Sequence, residues 1–284
     1  MSTTLSEPLK GREVFTRIWK LTVRRVLFPL CVLAPFAYFF PKIALVYAIC
    51  GAYDVTRNNG LKLSTLRRYF IGNGFLLWLL SPINTLLDVL SLPYVNKGIY
   101  SLDDLPPACQ DEVRRLLRVT DEAELVRRLD ERSQEYRRTM FSWRWYGIKS
   151  ESAVDVAGFD GPWTYVKTIG LSVFNKRTTT SPHFGWLRPT LRLLYNINDM
   201  QDKSAYIVVG NKTNYWCENK LFIFDDTLLH LSANETDQPR YCMFVDILRP
   251  TPFPRVMAAV VAFEAFLNRQ FSFIRFSGWT LVGR

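Results

Sequence analysis

The chain has 284 residues, of which 48% are hydrophobic and 22% charged, and a net charge of +10. That composition excludes a disordered chain and supplies core material for one large or two small domains. Only two histidines (His183, His230) and five cysteines without a CxxC pair are present, which excludes a zinc finger, a multi-histidine cluster and a disulfide framework. A mononuclear metal site with at most two imidazole ligands stays open, as does a single catalytic histidine.

The charge is uneven. Residues 1–70 carry eleven Lys/Arg against three Asp/Glu, residues 71–150 eleven of each, and residues 151–284 fourteen against twelve. A nucleic-acid binder would carry its basic surface on the folded domain. Here the charge flanks apolar segments, which fits an anionic membrane face and no nucleic acid. Residues 26–53 hold one charge, Lys42, and are interrupted by Pro29, Pro35 and Pro41. One spanning helix and two short legs (26–40 and 43–53) turning near Pro41 are both open. A second uncharged run, 70–87, is broken by Gly72, Gly74 and Pro82. Lys10, Arg12, Arg17, Lys20, Arg24 and Arg25 precede the first run, and Arg57, Lys62, Arg67 and Arg68 follow it. Positive charge at both ends favours a re-entrant or interfacial hairpin with the rest of the chain cytoplasmic. The run begins late and lacks a small-residue cleavage site, so no secretory signal is expected. A buried helical hairpin, or an oligomer interface in a soluble protein, is the competing reading.

Residues 101–150 read as a helical connector, with apolar positions at Val113, Leu116, Leu117, Leu125, Val126 and Leu129 and Thr120 as an N-cap. Its arginines read as a solvated face. From there the period changes. Residues 165–174, 191–197, 205–209, 221–225 and 241–247 are short β-branched or aromatic runs between turn residues, an all-β sandwich or jelly-roll pattern spanning 151–250. Residues 251–284 turn helical again. The apolar stretch 256–267, followed by Phe271, Phe273, Phe276 and Trp279, is either core or an interfacial helix.

Both histidines fall in the β-rich half. Two imidazoles on separate strands suit the facial site of iron oxygenases, in which two histidines and a carboxylate leave positions for oxygen and cosubstrate. The carboxylate ordinarily stands two residues after the first histidine, and here that residue is Gly185.

The segment KLFIFDDTLLHLSANETDQPRYCMFVDILRP (220–250) places paired aspartates before His230, and arginine, Asp and Arg-Pro after it. In SVFNKRTTTSPHFGWLRPTLRLLYNI (172–197), an arginine follows His183 by nine residues and a serine precedes it by eleven. These blocks resemble the aspartyl/asparaginyl β-hydroxylase family of iron(II)/2-oxoglutarate dioxygenases. The resemblance implies a double-stranded β-helix (jelly roll, cupin-like), mainly β with helices, preceded here by the membrane-associated region 1–100. It implies that His183 and His230 hold Fe(II). It also implies that Arg240, with Ser172, binds the distal carboxylate of 2-oxoglutarate, and that Arg192 binds the nearer one, as a planar guanidinium can. Asp225, Asp226 and Asp246 match family positions with an orienting or turn-forming role. Leu194 stands where many members carry a second clamping histidine. Asn211 and Asn234 open formal glycosylation sequons that read as turns.

The family's reaction consumes O2 and 2-oxoglutarate, with ascorbate as a possible support, and yields succinate, carbon dioxide and a hydroxylated carbon. Gly185 is similar to the peptidyl hydroxylases of the family. The apolar legs and the segment LLWLLSPINTLLDVLSLPYVNKG resemble its bacterial lipid branch, which hydroxylates acyl chains of lipid A and ornithine lipids at the cytoplasmic face of the inner membrane. The expectation is therefore a membrane-associated dioxygenase acting on a lipid acyl chain. A peptidyl aspartyl/asparaginyl β-hydroxylase and a non-catalytic lipid- or metal-binding module are the alternatives.

Overall fold

The computed structural model describes residues 28–58, 62–133, 136–150, 152, 154–270 and 280–281. Lys10, Arg12, Arg17, Lys20, Arg24 and Arg25, and Phe271, Phe273, Arg275, Phe276 and Trp279, lie outside them.

The first apolar run forms two helices, α1 (Phe28–Phe39) and α2 (Pro41–Thr56). The break falls at Phe40 (φ −129°, ψ 57°), because Pro41 disfavours helical geometry in the residue before it and suits the first turn of the next helix. At about 1.5 Å per residue the two helices measure roughly 18 and 24 Å, short of an apolar bilayer core of about 30 Å. Among the described residues no helix is long and apolar enough to cross a membrane. The second run forms α3 (Leu63–Ile71), α4 (Phe75–Leu79) and α5 (Ser81–Leu90). On α5, Ser81, Asn84 and Leu87 face inward while Ile83, Leu86 and Val89 are exposed. Exposed apolar side chains also cover α1 and α2, among them Tyr38 (81% exposed), Phe39 (70%), Leu45 and Ile49.

Two antiparallel sheets follow. The larger has the order β1-β9-β6-β11-β4-β2, comprising β1 (Ile99–Tyr100), β9 (Leu221–Phe224), β6 (Thr190–Asn196), β11 (Arg240–Leu248), β4 (Val166–Phe174) and β2 (Arg138–Trp145). On β2, β3 (Ile148–Lys149) pairs antiparallel and β12 (Thr280–Leu281) pairs parallel. The smaller sheet has the order β5-β10-β7-β8: β5 (Thr178–Thr179), β10 (His230–Asn234), β7 (Ala205–Val209) and β8 (Lys212–Tyr215). Strands β4, β6, β7, β9 and β11 fall within a residue of the expected runs. Residues 138–149, grouped above with the helical connector, instead form β2 and β3. Most of β2 is buried, so it lacks the in-out alternation that marks a half-exposed strand.

Alternation along the larger sheet gives it two different faces. Leu171, Val173, Leu193, Met243 and Val245 point outward and pack under α6 (Pro107–Glu122) and α7 (Leu125–Ser133) through Val113, Leu116, Leu125 and Leu129. The inner face, carrying Leu194, Phe224 and Cys242, meets Ile207 and Val209 of the smaller sheet. Thr120 is not an N-cap. Helix α6 runs through it, and its hydroxyl donates to Leu116 O (2.9 Å), while the chain breaks at Glu124 (φ 47°). Helix α8 (Pro254–Gln270) buries Met257 and Val261 against Leu87 and Leu248 and exposes Val256, Phe263 and Phe266. It is thus core on one side and an apolar surface on the other.

An ionic latch joins the helical layer to the sheets. Arg188, fully buried, donates to Asp54 of α2, Asp88 of α5 (2.9 Å) and Thr227 (3.0 Å). Arg57 (2.6 Å) and Arg249 hold Asp225. Burial opposes ionisation of Asp225, but Arg249, Arg57 and Arg188 outweigh it and keep the carboxyl well below its ordinary range. Three arginines balance three aspartates, the only economical way to bury so much charge. The latch fixes the β9–β10 loop, and so the residues on either side of it.

Candidate active site

His183 and His230 pair as an isolated antiparallel bridge, each amide donating to the other's carbonyl at 2.9 Å. Their rings lie 4.2 Å apart. His183 Nδ1 is 2.8 Å from Ser181 O, and His230 Nδ1 is 2.8 Å from Leu228 O. A carbonyl only accepts, so each Nδ1 carries a proton, and in the neutral ring the lone pair is then on Nε2. That tautomer is the one a metal needs. Burial pushes the pKa of His230 down to about 4 against the pull of Asp226, so the ring is neutral at neutral pH.

The helical layer holds this bridge in place. Arg68 and Asn73 donate to Pro182 O at 3.0 and 2.9 Å, and Phe184 packs edge-on against Tyr69. A Cβ at Gly74 would lie 2.7 Å from Tyr69 Cα and 2.9 Å from Phe184, so only glycine allows this approach.

Asp226 occupies the position left by Gly185. A Cβ at residue 185 would meet Asp226 Oδ2 at 2.3 Å. Its Oδ1 is buried without a hydrogen bond, 3.4 Å from His230 Nε2 and 3.3 Å from Arg192 Nη1. Burial opposes ionisation of Asp226, but Arg192 and the histidines lower its pKa. Two imidazole lone pairs and an orphaned carboxylate oxygen are therefore gathered in one place, a donor set that fits a divalent cation. They do not form a preassembled three-ligand cage among the described residues, because Asp226 is drawn towards Arg192. The family resemblance implies an orienting or turn-forming role for Asp226, and the fold adds its close approach to Gly185, forty-one positions away in the chain.

A cavity of about 500 Å³ opens beside the histidines, and Ser172, Arg192 and Arg240 all line it. The two arginines differ. Arg192 Nε donates to Asp246 Oδ1 (2.7 Å), Nη2 to Asp226 Oδ2 (3.3 Å), and the guanidinium lies over Phe244. Burial disfavours its charge, but Asp226 and Asp246 outweigh that and raise its pKa. Arg240, 1% exposed, donates from Nη1 to Ser232 Oγ (2.8 Å) and stacks over Phe174 (4.2 Å), while its Nε has no hydrogen-bond partner among the described residues. Burial lowers its pKa, and no carboxylate contributes to it. Such a buried cation fits an incoming carboxylate. Ser172 Oγ, beside it, donates to Cys242 O (3.0 Å) and must rotate to meet a ligand. Arg138 also lines the cavity and went unremarked in the sequence. Asp246, for which the family resemblance implied an orienting or turn-forming role, accepts from Arg192 Nε. Asn234, expected in a turn, is instead the buried last residue of β10, and its amide donates to Phe174 O and Gln238 O.

The aspartyl/asparaginyl β-hydroxylase family description matches residues 108–250, half of the chain, and the chain belongs to that family. A relative from Rhizobium tropici, named ornithine lipid ester-linked acyl 2-hydroxylase, is 33% identical over 117 residues, 38% of this chain and 41% of that protein. A rat protein, aspartate beta-hydroxylase domain-containing protein 2, is 31% identical over 84 residues, 28% of this chain and 24% of that one. The matches thus span less than half the length of these curated relatives. Among solved structures, a cupin superfamily protein from Desulfitobacterium hafniense aligns at 14% identity and a TM-score of 0.24, covering 39% of this chain and 77% of that one. A salicylate 1,2-dioxygenase from Pseudaminobacter salicylatoxidans aligns at 11% and 0.29, covering 46% and 32%. Likeness at that level decides nothing about this chain.

Proposed function

We propose that the protein is an iron(II)/2-oxoglutarate-dependent dioxygenase that hydroxylates an aliphatic carbon, in a lipid acyl chain of the membrane to which it is attached. The observation that carries this reading is the pairing of two imidazoles, each held through Nδ1 by a carbonyl, with a buried arginine that has no acidic partner among the described residues, on one cavity. His183 and His230 would hold the iron, which together with 2-oxoglutarate supplies the activation of O2. The chain's own part is to bind, orient and exclude water. Arg240 and Ser172 receive the distal carboxylate. Arg192 holds the nearer carboxylate by exchanging its Asp226 contact for it. Asp226 keeps an oxygen facing the metal position where Gly185 supplies none.

The lipid assignment is supported by the activity for which the Rhizobium relative is named and by the exposed apolar side chains of α1, α2, α5 and α8. Large exposed apolar patches mark membrane or partner faces. Helices too short to span would lie within one leaflet, with the catalytic domain on the cytoplasmic side. Asn73 and Phe184 join the cavity to the helical layer, so a substrate carbon could approach from that leaflet. The rat relative and Gly185 favour a peptidyl Asp/Asn substrate as the second reading.

Mass spectrometry of total lipids from cells making the parent or His230→Ala decides between them. A lipid carrying one added oxygen atom, absent with the variant, supports the lipid reading. An unchanged lipid profile, with succinate released only when peptides are added, replaces it with the second.

A further inference from the structure

We propose that Asn73 is a substrate-binding residue of this cavity. Its side-chain amide holds the ester or amide carbonyl at the head of the acyl chain, so that a carbon near the carboxyl end is the one presented to the metal position. The inference rests on the lipid reading proposed above and extends it to the carbon attacked, through a residue outside both histidine motifs.

Asn73 sits at the tip of the turn between α3 and α4, with Gly72 before it and Gly74 after it. The amides of Gly72 and Gly74 both donate to Arg68 O, at 3.1 and 3.0 Å, which closes the turn. A Cβ at Gly72 would lie 2.7 Å from Arg68 O, and one at Gly74 2.7 Å from Tyr69 Cα, so neither flanking residue can be larger. The turn therefore presents one side chain, at a fixed place, and that place is the cavity. Among the described residues Asn73 is the one lining residue that comes from the helical layer.

Its hydrogen bonds leave it half used. Nδ2 donates to the carbonyl of Pro182 (2.9 Å), the residue before His183. Arg68 Nη1 donates to the same carbonyl at 3.0 Å, so that oxygen is satisfied without Asn73. The second amide hydrogen and Oδ1 of Asn73 have no partner among the described residues. The surroundings are apolar. Ile71 and Phe75, two residues to either side of the tip, are 42% and 49% exposed, and Phe184 and Trp186 also line the cavity. An amide covered by an apolar ligand loses its water, and that costs free energy unless the ligand brings a hydrogen-bonding group of its own. An acyl chain has one such group, the carbonyl of the link at its head, and a carbonyl only accepts. The free Nδ2 hydrogen matches it, and an uncharged amide suits a neutral carbonyl better than a carboxylate. Because Pro182 and His183 are adjacent, a head anchored at Asn73 brings the first carbons of the chain to the imidazoles, and not its methyl end.

The test is product analysis with the full-length, Fe(II)-loaded protein, 2-oxoglutarate and vesicles of total cell lipid. Fragment masses locate the added hydroxyl, and succinate is measured alongside. The parent should place the hydroxyl on one carbon near the carboxyl end. Losing a neutral hydrogen bond weakens binding by about two- to tenfold. Asn73→Ala should raise the succinate released per hydroxylated lipid by that factor and spread the hydroxyl over several carbons. Asn73→Gln, which keeps the amide, should recover part of the selectivity. Arg68→Met removes the other donor to Pro182 O and should keep the hydroxyl on the parent's carbon. Asn73→Ala with the parent's ratio and the parent's carbon overturns the inference. So does Arg68→Met that spreads the hydroxyl as Asn73→Ala does, since both would then act by holding Pro182, and so does a parent that hydroxylates the methyl end. A parent that forms no hydroxylated lipid overturns instead the lipid reading on which the inference rests.

Discussion

The two ends of the cavity are built on opposite principles. At one end Arg192 is gripped by Asp246 and Asp226, and the charges cancel within the protein. At the other, Arg240 is more deeply buried, 1% exposed against 12% for the Arg192 side chain, and its partners among the described residues are a serine hydroxyl and aromatic rings. Unequal neutralisation separates a charge that must release a partner before it can bind from one that is ready to receive. The first end is balanced as it stands. The second is complete only with an anion.

Breaking the balanced end should have the largest effect on the fold. Arg192→Met leaves Asp226 and Asp246 in the interior without their cation, and such losses cost about 3–5 kcal/mol. Urea unfolding followed by tryptophan fluorescence should show a fall of that size. A change under about 1 kcal/mol would mean that the two ends do not differ as described.

Arg240→Met should invert the pattern. Its removal takes away an unneutralised buried charge, so metal-free stability should hold or rise. Affinity for 2-oxoglutarate should fall by about 1.5–3 kcal/mol, the range for a hydrogen bond to a charged group. A variant that unfolds readily yet binds normally would reverse the roles assigned to the two arginines.

The smallest effect concerns Glu264 on α8, behind the balanced end. Burial, and then Asp246, raise its pKa to about 8 from an ordinary 4.5. The folded state keeps the proton between those values while the unfolded state releases it, so stability falls as pH rises from about 4.5 to 8. Glu264→Gln lacks this slope. Thermal unfolding should show the variant gaining on the parent across that interval and matching it near pH 4. A constant difference at all pH values would place the proton elsewhere.

Some of this was legible in the sequence. The scarcity of histidine singled out His183 and His230, and the turn-bounded strands were visible because β-branched and aromatic runs end at polar turns. Strand β2 was hidden because RTMFSWRW carries two arginines and follows the basic helical segment with no glycine, proline or other turn residue between them. Strand β10 was hidden because HLSAN alternates site residues rather than apolar ones. Pro41 gave away the helix break, since its effect is local. The partners of Arg192 and the space that Asp226 takes beside Gly185 were not legible, because both depend on contacts between distant segments. The latch around Arg188 was invisible for the same reason: its three aspartates come from α2, α5 and the β9–β10 loop.

The central claim is that two imidazoles and an unneutralised arginine form one site for a metal and a dicarboxylate. The most direct measurement is anaerobic titration of 2-oxoglutarate into the Fe(II)-loaded protein, with metal content determined on the same samples. The account predicts one iron and one 2-oxoglutarate per chain, with both lost in His183→Ala and in His230→Ala because no other histidine can substitute. A folded parent that takes up neither iron nor 2-oxoglutarate, or histidine variants that bind both as the parent does, would contradict it.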